Sequence, residues 1–164
     1  MPNSGSNEKA PRLTSTIMMA LIGAGLFLTF FSRDFPDGLQ DDWVRENLGL
    51  VARYVIAMML GGAVMGYLLA SMFGRPGLGG WIWAVTGGLL AALVTGACGS
   101  LIGLLPDLLA DGWQAQDLVS VLFGFLVLPI AAAEKFGSFL IWVIAIAVTH
   151  LLSRFERARS GYHK

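Results

Sequence analysis

The feature that most constrains this chain is a series of long apolar stretches that contain almost no charged residues. The first three cover residues 13–31, 54–73 and 81–105. Each is close to or above the roughly 20 residues that a helix rising 1.5 Å per residue needs to cross about 30 Å of hydrocarbon. Backbone groups in lipid must be satisfied internally, which favours helices for such stretches. The sequence therefore predicts an all-α integral membrane protein.

Composition supports the same fold class. Only 13% of the residues are charged and 55% are hydrophobic, whereas soluble domains average about 25% charged residues. The formal net charge is zero, which is not the basic balance typical of nucleic-acid-binding proteins. The lipid bilayer is the expected environment, and no nucleic-acid partner is expected.

The chain divides into three segments. Residues 1–12 are polar and rich in Ser, Asn, Gly and Pro, which predicts a disordered cytoplasmic tail. Residues 13–153 form a single transmembrane helical domain without an internal repeat. Residues 154–164 form a basic cytoplasmic tail that contains Arg154, Arg157, Arg159 and Lys164.

The apolar run 118–152 leaves the number of crossings open. One straight helix over this run would be about 52 Å long, far more than the thickness of the hydrocarbon. Pro129 and the adjacent Glu134 and Lys135 mark where the run divides. One division makes 136–152 the fourth transmembrane helix and 118–133 a re-entrant or interfacial helical segment on the outer side. The alternative joins two spans by a hairpin and gives five transmembrane helices.

Positive charges predict the orientation, because Lys and Arg favour the cytoplasmic side. Lys9 and Arg12 precede the first span, Arg75 precedes the third, and the basic tail follows the last. Counting all bases does not separate four crossings from five, but these local flanks favour four. The expected location is a bacterial inner (plasma) membrane, with the N-terminus and the C-terminus both cytoplasmic.

Small residues recur at helical spacing in the second and third spans, and this pattern predicts close helix contacts. Residues three or four positions apart lie on one helical face, and in lipid small residues allow two backbones to approach closely. Packing within the chain is the favoured interpretation for at least one face. Docking on a second copy or on a larger membrane complex is the other. The residues are Gly62 and Gly66 in the second span, and Gly88, Ala92, Gly96, Gly99 and Gly103 in the third.

The residues that carry most catalytic and cofactor chemistry are scarce. Cys98 is the only cysteine, and His150 and His163 are the only histidines. They are too few for a closed zinc site, and only His150 adjoins a span, which argues against a haem with two histidine ligands. The glycine-rich stretch 74–80 is followed by Trp81 rather than by the Lys and Ser/Thr of a phosphate loop. We expect no enzyme activity, no cofactor and no metal.

Glu134 and Lys135 form the candidate intramembrane polar site. At the interface the pair would only cap the last span, whereas ionisable groups at membrane depth mark ion or proton paths. The expected function is a non-catalytic accessory or assembly subunit that packs through its glycine-rich helix faces. The alternative is a small oligomeric transporter or channel that uses Glu134 and Lys135 at membrane depth.

Overall fold

The predicted all-α membrane fold is confirmed. The computed structural model describes residues 11–35, 37–134 and 136–162, and within these ranges no strand forms. Among the described residues, five helices are long and apolar enough to cross a membrane. The α-helices are α1 (Arg12–Asp34), α2 (Asp42–Glu46), α3 (Leu48–Leu68), α4 (Gly77–Asp111), α5 (Ala115–Glu134) and α6 (Phe136–Tyr162), with short 3-10 turns at Gly38–Gln40 and Ala70–Met72.

The helices extend beyond several predicted boundaries. α1 begins at Arg12, the last residue of the predicted disordered tail, and residues 1–10 lie outside the described part of the chain. α6 continues as helix through most of the predicted basic tail. α3 ends at Leu68, earlier than expected, because the chain turns through Ala70–Met72 and then through Gly74, whose φ is +74°.

The short helix α2 begins directly after Asp41, which caps its N-terminus. The Asp41 carboxylate accepts hydrogen bonds from the backbone N–H groups of Trp43 (2.9 Å) and Val44 (3.3 Å). This is the arrangement that satisfies orphan donors at a helix N-terminus. Val44 is buried and Trp43 stacks on Phe35 at 4.8 Å between ring centroids, so α2 is fixed against the end of α1.

α1 and α3 form a close antiparallel pair. Gly62 of α3 faces the backbone of Met19, and Gly66 faces the backbone of Ser15 one turn further along. On α1, a Cβ at Gly23 would lie 2.6 Å from the Met58 carbonyl oxygen. As the residue number rises on α3 it falls on α1, which sets the two helices antiparallel with their backbones in contact.

α4 lies at the centre of the bundle. Buried residues make up 44% of its apolar span, against 22–28% for the other four long helices. It packs against α3 and α5 along much of its length and against α6 and α1 more locally. The remaining helices therefore surround α4.

α5 and α6 both pack on α4, and both run along it in the same direction. Gly124 of α5 contacts Gly96, whereas Ala132 lies in a cavity with Leu89. Further along, Ile146 of α6 contacts Gly88, and the His150 ring lies 4.6 Å from that of Trp81 between centroids. The residue number on α4 falls throughout while the number on α5 and α6 rises. Both helices are therefore antiparallel to α4.

Both predicted divisions of the run 118–152 place a break at Glu134 and Lys135, and α5 ends at Glu134 while α6 begins at Phe136. The segment 118–133 continues through Pro129 as part of α5 and packs against α4. By length and composition, α5 and α6 could each cross a membrane.

The start of α1 and the end of α6 meet at one end of the bundle. The backbone N–H of Thr14 donates a hydrogen bond of 3.2 Å to the Glu156 carboxylate. Length and composition alone would allow five crossings, but an odd number would place these two residues at opposite ends. An even number of crossings fits the structure.

Cysteine labelling should show that the start of α1 and the end of α6 lie on the same side of the membrane. In a Cys98→Ser background, single cysteines at Ser4 and Arg159 should be accessible from one side of the membrane. Cysteines at Gln40 and Gln114 should be accessible from the other side, because they lie in the connections at the opposite end of the bundle. A membrane-impermeant maleimide, applied to intact cells and to inverted vesicles, distinguishes the two sides. Labelling of positions 4 and 159 from opposite sides would contradict this topology.

Candidate functional site

The predicted glycine face of α4 is used within the chain, by three different helices. Gly88 contacts Ile146 of α6, and Gly96 contacts the Gly124 carbonyl of α5. Gly99 contacts the Met58 side chain and Gly103 the Tyr54 ring, both on α3. Ala92 is buried beside the cavity between α4, α5 and α6. The face that could have docked a partner is therefore covered by the chain itself.

Polar contacts gather at the end of the bundle where α1 begins and α6 ends. We call this region the terminal junction: the first turn of α1, the connection 69–76 and residues 150–157 of α6. The Glu156 carboxylate lies at the N-terminus of α1, where it accepts from Thr14. An acid at this position satisfies a donor that has no intrahelical acceptor and complements the helix dipole. Glu156 thus joins the last part of α6 to the first turn of α1.

His150 is buried in the terminal junction rather than exposed at an interface. Its side chain is 1% exposed, and its Nδ1 accepts a hydrogen bond of 3.3 Å from the backbone N–H of Gly74. Trp81 covers the ring. Gly74 also lies directly against the Ser153 backbone, where a Cβ would come within 2.7 Å. His150 therefore holds the connection 69–76 against α6.

Arg157 binds the same connection from the next turn of α6. Its Nε donates to the Phe73 carbonyl at 3.0 Å, and its Nη2 donates to the Ser71 carbonyl at 3.1 Å. Phe73 is fully buried. Carbonyl groups in a turn lack helical partners, and a charged donor satisfies them strongly.

The arrangement around His150 does not form a nucleophile with its base. Ser153, one turn away, has a buried hydroxyl that finds no hydrogen-bond partner among the described residues, so it is not paired with His150. Glu156 is directed to α1. Within the described ranges, no group of three His, Cys, Asp or Glu side chains is placed to hold a metal ion. His150, Arg157 and Glu156 each contact backbone groups of another part of the chain.

The division between α5 and α6 lies alongside the middle of α4. Pro129 and Ala132 before it, and Phe139 after it, line one apolar cavity of about 240 Å³ with Leu89 and Ala92 of α4. Glu134 is the last residue of α5, and Lys135 lies outside the described residues. The helix interruption is therefore within the bundle, while the direction of the two candidate side chains is not described.

Trp142 lies in α6 close to this interruption. Its side chain is 9% exposed, and its indole N–H is buried without a hydrogen-bond partner among the described residues. Trp142 lines the α4–α5–α6 cavity and also a second groove of about 270 Å³ between α1 and α6.

Comparison of the chain with protein-family models, with curated proteins and with solved structures gives no match.

Sequence reasoning identified the glycines and the helix division but missed most of the terminal junction. The sequence pattern places Arg157 in a basic tail and Phe73 at the end of a span, and it indicates no contact between them. A usable signal was present for His150, because it lies at the end of the apolar stretch of α6 and one helical turn before Ser153 and Arg154. Its partner, the backbone of Gly74, carries no side-chain signal at all.

Replacing buried glycines should destabilise the bundle selectively. In Gly62→Ala and Gly96→Ala the new methyl group would overlap the Met19 and Gly124 backbone, so the helices must separate. A loss of about 1–3 kcal/mol is expected for overpacking of this kind. Thermal unfolding in mild detergent measures it. The matched control is Gly25→Ala, since nothing lies within 4 Å of that Cβ position. Equal melting temperatures for all three variants would contradict the contacts.

Proposed function

We propose that this protein is a non-catalytic accessory or assembly subunit of a bacterial inner (plasma) membrane. The observation that supports the proposal best is the use of the polar side chains at the terminal junction. His150, Arg157 and Glu156 each bind backbone groups of another part of the chain. Residues so engaged hold a fold together, and they leave no acid–base pair for catalysis in the described junction.

The central packing also favours a subunit over a single-chain channel. Backbone contacts between Gly96 and Gly124, and the Met58 and Tyr54 side chains against Gly99 and Gly103, fill the space around α4. Thr95, near the middle of α4, is 2% exposed. A water-filled pore through one chain would need space and polar lining there.

The contact with a partner subunit is proposed at the groove between α1 and α6, instead of at the glycine face of α4. This groove is apolar apart from Thr29 and Ser138, and it opens on the outside of the bundle. Gly25 borders it with empty space beyond its Cα. Close approach of a helix from another subunit requires a small residue of this kind.

A groove-filling variant tests the subunit proposal. Gly25→Leu should fold normally, because the position is open, but should displace a helix docked in the groove. We expect the wild type in nanodiscs or in mild detergent to have a mass well above the 17.5 kDa of one chain, and Gly25→Leu to be monomeric with an unchanged melting temperature. Native mass spectrometry measures the assembly.

The control for this experiment is Gly137→Leu, which also adds a side chain at an open, exposed position of a long helix but lies outside the groove. It should retain the wild-type assembly. A wild type that is monomeric at every protein-to-lipid ratio, or a Gly25→Leu variant that assembles normally, would overturn the proposal.

A small transporter or channel is a second candidate, and one observation favours it. The α5–α6 interruption lies beside the middle of α4, next to a cavity lined by Trp142, whose indole N–H has no hydrogen-bond partner among the described residues. Interrupted helices near the membrane midplane line many transporter sites.

Two variants separate this candidate from the subunit proposal. A joint Glu134→Gln and Lys135→Gln change removes both charges, and Trp142→Phe removes the indole donor while keeping an aromatic ring. If the protein is an accessory subunit, both variants should assemble as the wild type does and leave the cellular phenotype of the gene intact. Normal protein level and assembly with loss of that phenotype in both variants would instead favour transport.

A further inference from the structure

A pocket of about 520 Å³ lies at the start of α4, beside the terminal junction. Two guanidinium groups line it, one from Arg75 and one from Arg157. Gly79 and Trp83 of α4 form another part of its wall. No acidic side chain is among the described residues that line it. The pocket is therefore a positively charged concave site, independent of the groove and the cavity discussed above.

The two guanidinium groups converge on one carbonyl oxygen. Arg75 Nε donates to the Ser71 carbonyl at 2.8 Å, and Arg157 Nη2 donates to the same oxygen at 3.1 Å. Two like charges within roughly 6 Å repel each other. The fold maintains this proximity by fixing both side chains, since Arg157 also binds Phe73 and Arg75 lies over the Trp83 ring at 5.1 Å.

Donors remain available for a ligand. The two terminal nitrogens of Arg75 have no hydrogen-bond partner among the described residues, because its one hydrogen bond uses Nε. α4 begins at Gly77 without a side-chain cap, and the first N–H groups of a helix have no intrahelical acceptor. Gly79 and Gly80 bring no side chain between that helix start and the pocket. A fork of guanidinium donors and a helix N-terminus both favour an oxyanion.

We propose that this pocket binds the phosphate group of an anionic phospholipid. Lipid is favoured over a soluble anion because the adjoining face of α4 is apolar and open. Leu78 is 84% exposed and Ile82 is 69% exposed, and the exposed Trp83 ring is typical of the membrane interface. A phosphate between the two arginines would direct its acyl chains along this face. Basic pockets at membrane interfaces bind such headgroups.

The test uses the purified full-length chain and three probes: phosphatidylglycerol, phosphatidylcholine and inorganic phosphate. Native mass spectrometry from mild detergent measures the apparent Kd for each lipid. Phosphatidylglycerol should bind about tenfold more tightly than phosphatidylcholine, as charge-assisted hydrogen bonds predict. Arg75→Gln should weaken the binding of phosphatidylglycerol about tenfold. The control, Arg159→Gln, also removes one positive charge, but its position near the end of α6 lies outside the pocket. It should change the affinity for phosphatidylglycerol less than twofold.

A second variant keeps the test decisive if Arg75→Gln fails to fold. Gly79→Leu has open space at its Cβ, so it should fold while its side chain fills the pocket, and it should weaken phosphatidylglycerol binding as strongly as Arg75→Gln. Equal binding of the two lipids, or equal losses in Arg75→Gln and Arg159→Gln, would show diffuse surface attraction and overturn the proposal. If millimolar inorganic phosphate displaced phosphatidylglycerol completely, the site would be one for a free anion, and the lipid assignment would be overturned.

Discussion

The bundle depends on the approach of helix backbones at glycine. In lipid, burying one apolar side chain against another gains little, because the acyl chains are equally apolar. What the chain gains instead is dispersion and backbone contact at positions without a Cβ, such as Gly62 against Met19 and Gly96 against Gly124. α4 carries enough of these positions to contact α3, α5 and α6 along one stripe. The central place of α4 follows from that stripe.

The terminal junction adds a second kind of constraint. The glycine contacts determine which helices pack together, but they resist the sliding of one helix along another only weakly. Hydrogen bonds to particular backbone groups instead define one register between the helices. Glu156 at the start of α1, His150 at Gly74 and Arg157 at Phe73 supply three such bonds from a single helix. They join residues separated by more than 70 positions in the sequence. The junction therefore closes the bundle, and it also positions Arg157 in the pocket beside Arg75.

Local features of the sequence predicted the helices well and their partners poorly. The apolar runs, the small-residue spacing on α4 and the acids before α2 all follow from neighbours in the chain. The partner of each glycine cannot be predicted from its neighbours in the chain, because a stripe of small residues indicates only that another helix packs closely there. Likewise, His150 binds a backbone N–H and Arg157 binds two carbonyls, and no side-chain pattern encodes a backbone partner.

The path back along α4 is divided between two helices. α4 has 35 residues and is about 52 Å long. α5 has 20 residues and α6 has 27, so they are about 30 Å and about 40 Å long, and together they exceed the length of α4. Each helix can then tilt separately, so that α5 packs on α4 through Gly124 while α6 turns toward α1. The cavity beside Trp142 lies between α4 and these two helices, next to the point where α5 ends and α6 begins.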